Sequence, residues 1–234
     1  MTTVDALVER EPPGAVSAES SSAERRFSPG ALKIITTAEK LFAERGLEAV
    51  STRMISREAG HKNHSALQYH FGNRDALIEA ILDYRVTPIN QRRLEQLRQL
   101  PDMRGEAQIE ALVGVFVGPF ADELLRPIDE TAYVSILAQL YAYQRGREIF
   151  MKNRVRTRAL HEITSQLIRV LKPVPLKVIH FRLQLMGRQT MAAVAEWDEA
   201  RRNGLIELDA EALVWRKKNL VRFIVGGLTA AVDQ

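Results

Sequence analysis

Two short helical segments, joined by a glycine and preceded by a longer amphipathic segment, constrain the fold of this chain more than any other feature. In the longer segment, Ser28 is a predicted N-cap, and apolar residues then recur on one helical face until Gly46. Ser51 is the predicted N-cap of the next segment, which stops before Gly60, and the third segment follows after a short turn. This spacing is typical of a helix-turn-helix, in which a longer helix packs behind two short ones.

The rest of the chain also has helical periodicity. Pro88 and Pro119 are expected to bend or break their helices, Gly204 marks a break, and Asp209 is a predicted N-cap. No Asn-Gly or Asp-Gly turn separates alternating apolar runs, so we predict an all-α protein. The predicted boundaries are 1–24 for a flexible acidic tail, 25–86 for a three-helix helix-turn-helix domain, and 87–234 for a larger helical domain.

Composition excludes several classes of protein. The chain of 234 residues has no cysteine, which removes disulfide frameworks, thiolate metal sites and cysteine nucleophiles. No apolar run approaches the roughly 20 residues of a membrane-spanning helix, and no signal-peptide pattern is present. We therefore expect a soluble, cytoplasmic protein without a cofactor, a metal site or a membrane partner.

Three motifs in this region resemble the N-terminal domain of the TetR family of bacterial transcription regulators. The matching pieces are A-x-x-L-F-x-x-x-G at Ala38–Gly46, S-T-R-x-I-x-x-x-A-G at Ser51–Gly60, and Tyr69-His70-Phe71 followed by Asn73-Arg74-Asp75-Ala76-Leu77. The resemblance implies a ligand-responsive repressor that binds a palindromic double-stranded DNA operator as a homodimer and is released by a small-molecule effector. An activator or a corepressor-dependent regulator of the same fold remains an alternative.

Charge favours the dimer but does not by itself identify DNA as the partner. The net charge is +4, and residues 1–24 carry five acids and one base, which leaves +8 on the remainder. Residues 25–85 carry ten bases and seven acids, a net of only +3. Such a small excess indicates that affinity depends on a dimer that doubles the phosphate contacts.

Residue types in the predicted helix-turn-helix suit the chemistry of DNA. Base edges are reached by small or polar side chains at the exposed start of a recognition helix, and the candidates are Lys62, Asn63, His64, Ser65 and Gln68. Phosphates are bound by hydroxyls, cations and helix N-terminal amides, and the candidates are Ser51, Thr52 and Arg53. The resemblance adds Tyr69, His70 and Arg74 as backbone clamps. Packing for His70 and simple solvation for Arg53 and Arg74 are the alternatives.

The C-terminal part is expected to form the dimer. In the family, the last two long helices of each subunit form a four-helix bundle across the dimer axis. Here the corresponding segments contain small residues that permit close helix approach, namely Met191, Ala192, Ala193 and Ala195 in the first, and Gly226, Gly227, Ala230 and Ala231 in the second. Packing inside one subunit is the alternative.

The remaining helices are expected to enclose an effector pocket, as the resemblance implies. The lining candidates are aromatic or polar side chains: Phe116, Phe120, Tyr133, Tyr141, Phe150, His161, His180 and Gln184, with Tyr143, Met186 and Trp197 as further apolar candidates. The basic run 145–158 is either a solvated helix face or a feature that favours an anionic effector.

Catalysis is the alternative from a different functional class. His161 and His180, with Glu162, are the residues from which a catalytic set could be built. The sequence has no phosphate-binding loop, no Gly-x-Ser-x-Gly elbow and no His/Glu motif with metal-ligand spacing. We therefore expect a regulator and not an enzyme.

Overall fold

The computed structural model describes residues 27–60 and 65–232, and these are entirely helical apart from connecting turns. They form ten α-helices and two short 3-10 turns, without a strand in the described part of the chain. The prediction of an all-α class is therefore confirmed. The predicted acidic tail over 1–24 lies outside the described residues.

The first four helices are α1 (Pro29–Arg45), α2 (Thr52–Glu58), α3 (Ser65–Phe71) and α4 (Arg74–Gln99). Helices α1 and α2 begin at serine N-caps. The Ser28 hydroxyl accepts a hydrogen bond from the Ala31 N–H at 3.3 Å, and the Ser51 hydroxyl accepts one from Met54 at the same distance. Both N-caps are those that the sequence predicts.

Two prolines lie inside helices. Helix α4 passes through Pro88 without ending, and α5 (Gly105–Ala121) contains Pro119 in its last turn. A 3-10 turn, Asp122–Leu125, follows α5 at once. A break of the helix at Pro88 is thus wrong, since α4 continues for eleven residues beyond it, to Gln99, whereas a bend at either proline stays a prediction.

The remaining helices complete the chain in order. They are α6 (Ala132–Ala142), α7 (Gln144–Lys152), α8 (Arg158–Val170), α9 (Leu176–Arg202) and α10 (Ala210–Thr229), with a 3-10 turn at Ile128–Glu130 before α6. Gly204 has a φ of 67° in the turn between α9 and α10. The Asp209 carboxylate caps α10 by accepting a hydrogen bond from the Ala212 N–H at 2.7 Å, as the sequence predicts.

The described chain divides into two compact units. The first unit contains the described residues up to Pro88 together with Asp129–Arg156, and the second contains Ile89–Ile128 and the chain from Thr157 onward. The first unit therefore adds α6 and α7 to the three N-terminal helices. The division falls inside α4.

Each unit has an apolar core of its own. In the first unit, the buried side chains of Ile35, Phe42, Ile55, Leu67 and Ile81 hold α1 to α4 together. In the second unit, α5 is buried along most of its length and packs against α8 and α10. None of the helices in the described part of the chain is both long and apolar enough to cross a membrane.

Candidate nucleic-acid interface

The start of α2 presents two of the predicted phosphate contacts. Ser51 and Arg53 are exposed and Thr52 is half-buried. Because the Ser51 hydroxyl already accepts the hydrogen bond that caps α2, it fixes the direction of the helix whether or not DNA is present. The side chain most accessible to a phosphate at this end is Arg53.

Helix α3 has a buried side and a solvent-facing side, as a recognition helix requires. Leu67 is buried against the rest of the first unit, whereas the neighbouring Gln68 is exposed and Tyr69 has 85% of its surface exposed. Ser65 is the first residue of α3. Lys62, Asn63 and His64, the other predicted base contacts, lie outside the described residues.

His70 is held between its neighbour and the first turn of α1. Its ring lies edge-on to that of Tyr69, with 5.2 Å between the ring centroids. A Cβ atom added to Gly30 would lie 3.2 Å from the His70 Nε2 atom. The absence of a side chain at Gly30 therefore lets the imidazole pack closely against α1, in keeping with the packing role that the sequence leaves open.

Arg74 makes internal contacts that the sequence does not predict. Its guanidinium donates a hydrogen bond to the Leu47 carbonyl and lies 5.6 Å from the ring centroid of Phe42. The Leu47 N–H in turn donates to the side-chain oxygen of Gln139 on α6, at 3.3 Å. Arg74 and Gln139 together hold the connection between α1 and α2, so a DNA contact by Arg74 stays a prediction.

A buried ion pair joins α1 to α4 behind the recognition helix. The Arg85 guanidinium donates two hydrogen bonds of 2.7 Å to the Glu39 carboxylate. The same guanidinium lies 4.7 and 4.6 Å from the ring centroids of Tyr84 and Tyr133. Burial alone would lower the pKa of Arg85, but the hydrogen bonds and charge of Glu39 raise it above the ordinary value. This cation is therefore committed to the interior.

Half of the cations in the basic run 145–158 form ion pairs with α4. Three acids on α4 spaced four residues apart receive three of its cations: Asp75 pairs with Arg145 at 2.8 Å, Glu79 with Lys152 at 2.7 Å, and Asp83 with Arg156 at 2.5 Å. Arg147 donates to the Tyr141 and Ala142 carbonyls. Neither the solvated face nor the anionic-effector interpretation foresaw these pairs, although the four-residue spacing of the acids was visible in the sequence.

The predicted pocket residues are distributed over both units and differ in exposure. Phe116, Phe120, His161, His180 and Gln184 belong to the second unit, and Tyr133, Tyr141 and Phe150 belong to the first. Phe116, Phe120, Tyr133 and Phe150 are buried, Tyr141 is half-buried, and His161, His180 and Gln184 are exposed. The polar candidates thus face solvent in the single chain, while most of the aromatic candidates belong to the packed cores.

Comparisons with known proteins agree with this geometry. Residues 34–81 match the family model of bacterial regulatory proteins of the tetR family. A protein from Rhodococcus sp., described as a TetR-family transcriptional regulator, is 16% identical, with a TM-score of 0.53 over 85% of this chain and 100% of that one. GusR of Salmonella enterica is 18% identical, with a TM-score of 0.48 over 87% of this chain and 96% of that one. A comparison with curated protein sequences finds no match.

The family model covers α2, α3 and most of α1, together with the start of α4. The N-cap at Ser51 and the exposed Tyr69 both lie within these matched residues. The likeness to the Rhodococcus structure extends the shared fold to most of the chain. Residues 34–81 are therefore a helix-turn-helix segment of the kind found in bacterial regulatory proteins of the tetR family, and most of the chain shares its fold with the Rhodococcus protein.

Proposed function

We propose that this regulator is a repressor that acts in the cytoplasm as a homodimer, binds a palindromic operator, and is released by a small-molecule effector. The observation that carries the DNA-binding part is the two-sided character of α3. Leu67 anchors the helix from behind while Gln68 and Tyr69 remain exposed. A recognition helix needs this combination, because it must be held rigidly and still reach base edges and phosphates.

The exposed faces of α9 and α10 support the homodimer. Phe181 on α9 is 61% exposed and Phe223 on α10 is 67% exposed, and large apolar side chains at such exposure favour a partner. Leu185 continues the α9 face one turn after Phe181. Gly226 and Gly227 continue the α10 face, and a Cβ atom added at either would meet nothing within 4 Å. A second copy of the chain fits this face, in line with the four-helix bundle that the family resemblance implies.

The release step follows from thermodynamic linkage. An effector that binds more tightly to a form with the two recognition helices wrongly spaced must lower DNA affinity by the same coupling factor. Buried aromatic side chains such as Phe116 and Phe120 in the second unit are the lining candidates for such an effector. A ligand that instead preferred the DNA-bound spacing would act as a corepressor. The two cases are distinguished by whether the ligand lowers or raises the affinity for the operator.

The first experiment combines selection of DNA from a random pool with a measurement of mass in solution. We expect enrichment of an inverted repeat and a dimer of this 26.4 kDa chain by light scattering. Gly227→Arg should dissociate the dimer and weaken operator binding, whereas Ser165→Arg, on the exposed side of α8, should do neither. A single unrepeated half-site bound by a monomer would overturn the proposed dimer.

Two alanine variants separate affinity from sequence preference. Tyr69→Ala should weaken binding to every duplex by a similar factor, because a phosphate contact carries no sequence information. Gln68→Ala should instead relax the preference at particular bases. Equal loss of affinity on selected and unrelated DNA for Gln68→Ala would reassign this residue to the phosphate backbone.

A thermal-shift screen of metabolites tests the effector. A stabilising compound should then lower operator affinity if the protein is a repressor released by its ligand, and raise it if the ligand is a corepressor. A stabilising compound that leaves operator affinity unchanged would contradict ligand control of DNA binding.

A further inference from the structure

We propose that Lys33, on α1, supplies a DNA-phosphate contact beside the recognition helix. None of the contacts predicted from the sequence lies on α1. The inference rests on the proposed binding of duplex DNA by the helix-turn-helix. It extends that site with a cation from the helix that packs behind it.

The Lys33 amine lies at the end of α2. A Cβ atom added to Gly60 would lie 3.3 Å from the Lys33 Nζ atom, so the amine rests against the backbone at the end of α2. Gly60 has a φ of 78° and opens the connection from α2 to α3. The Lys33 side chain therefore reaches Gly60, the last described residue before the predicted base contacts in the sequence.

The first turn of α1 also lies beside α3. Gly30, three residues before Lys33, lies against the His70 imidazole in the last turn of α3. Residues three apart share a helix face. The same face of α1 thus meets Gly60, after the end of α2, through Lys33 and the last turn of α3 through Gly30. A strand of DNA that contacts the exposed Tyr69 would pass along this edge.

The positive charge of Lys33 is available to a DNA phosphate. Lys33 is exposed, and its side-chain amine makes no ion pair or hydrogen bond with any residue in the described part of the chain. Arg85, by contrast, is fully engaged by Glu39, and Arg74 donates to the Leu47 carbonyl. A phosphate near Lys33 would gain a charge contact and release a counterion without breaking an internal bond.

Lys40 provides a matched control on the same helix. It lies seven residues after Lys33, which places it on nearly the same face about 10 Å further along the axis. Lys40 is also exposed and also makes no ion pair or hydrogen bond with the described residues. The two lysines differ mainly in that only Lys33 lies beside the turn.

A purely structural role for Lys33 predicts a different result. The amine lies near the C-terminal end of α2, where a cation stabilises a helix through its dipole. If that were its function, Lys33→Gln would lower the melting temperature and leave the salt dependence of DNA binding unchanged. Binding and melting measurements therefore distinguish the two roles.

The experiment uses the full chain and two duplexes of equal length, one selected by the wild-type protein and one of unrelated sequence. Affinity is measured from about 50 to about 200 mM KCl for the wild type, Lys33→Gln, Lys33→Arg and Lys40→Gln. We expect Lys33→Gln to flatten the plot of log K against log salt by about one per subunit on both duplexes. Lys33→Arg and Lys40→Gln should keep the wild-type slope.

Two results would overturn the inference, and they are distinguishable. If the wild type binds the selected duplex but Lys33→Gln has the slope of Lys40→Gln, the Lys33 contact is wrong and DNA binding stands. If the wild type binds neither duplex, the proposed function itself is wrong and the Lys33 contact falls with it.

Discussion

Two buried arginines, Arg85 in the first compact unit and Arg93 in the second, donate their hydrogen bonds to different kinds of acceptor. In the first unit, Arg85 lies between two tyrosine rings and forms a two-point ion pair with Glu39. In the second unit, Arg93 donates two hydrogen bonds, of 3.0 and 2.6 Å, to one backbone carbonyl, that of Phe116. A carboxylate thus accepts the hydrogen bonds of Arg85, and a backbone carbonyl accepts these two hydrogen bonds of Arg93.

The difference reflects the local helix that each arginine supports. Helix α5 contains Pro119 and is followed at once by the 3-10 turn Asp122–Leu125. Arg93 on α4 donates to the Phe116 carbonyl of α5, and Arg92 donates to that of Pro119 at 3.0 Å. Arg85 instead joins α4 to α1 through a carboxylate. These buried arginines thus all connect α4 to another helix, and those of the second unit use backbone carbonyls of α5 as acceptors.

Removing the Glu39 carboxylate, the partner of Arg85 in the first unit, should have the largest effect on the free energy of unfolding. Glu39→Ala leaves the Arg85 cation largely buried with only its two aromatic neighbours. Loss of one partner from a buried pair costs about 3 to 5 kcal/mol in the free energy of unfolding. Urea denaturation followed by circular dichroism measures the change.

Glu44→Ala is the matched control, because Glu44 lies on the same helix but is exposed. It should change the free energy of unfolding by less than about 0.5 kcal/mol. If Glu39→Ala cost no more than Glu44→Ala, the buried pair would not be what holds α1 to α4.

The corresponding change in the second unit should cost less. Arg92 pairs with Glu123, and both side chains are 5% exposed. Glu123→Ala removes this carboxylate and also the partner of Arg126, which lies 3.0 Å from it, but Arg92 keeps its hydrogen bond to the Pro119 carbonyl and Arg126 is partly exposed. We expect a loss of about 2 kcal/mol, measured in the same urea titration. A cost larger than that of Glu39→Ala would show that the backbone oxygen does not compensate for the lost charge.

The local features of this fold were predictable, because they depend on neighbouring residues. The N-caps at Ser28, Ser51 and Asp209 are confirmed, since capping needs only a side chain and an amide three residues later. The continuation of α4 through Pro88 was not predictable in the same way. Tertiary packing decides whether a helix continues past a proline, and periodicity does not report on it.

The candidate site was only partly predictable for the same reason. The exposure of Tyr69 follows from the helical pattern, because Leu67 takes the buried side of α3. The contact of Arg74 with Leu47 joins residues 27 positions apart, and that of Asp83 with Arg156 joins residues 73 positions apart. No local pattern encodes such pairs, so the basic run 145–158 was open to two interpretations that both missed them.

The ion pairs between α4 and the basic run should form a graded series. At the buried end, Arg156 is 1% exposed and donates to Asp83 and to the carbonyls of Ile149 and Phe150. Asp83→Ala should cost about 1 kcal/mol, because Arg156 retains two carbonyl acceptors and Asp83 is itself partly solvated. The measurement is again the free energy of unfolding. A cost near that of Glu39→Ala would mean that the carbonyls contribute little.

The smallest effect is expected at the exposed end of the same series. Arg145 and Asp75 are 80% and 49% exposed, so solvent and salt screen their attraction. Arg145→Gln, which spares the favourable position of Asp75 in the first turn of α4, should cost less than about 0.5 kcal/mol. A double-mutant cycle with Asp75→Asn, repeated at high salt, isolates the coupling between the two side chains. A coupling above about 1 kcal/mol that persists at high salt would contradict the graded series. The exposed pairs, like the Glu39–Arg85 pair, would then stabilise the packing of α4.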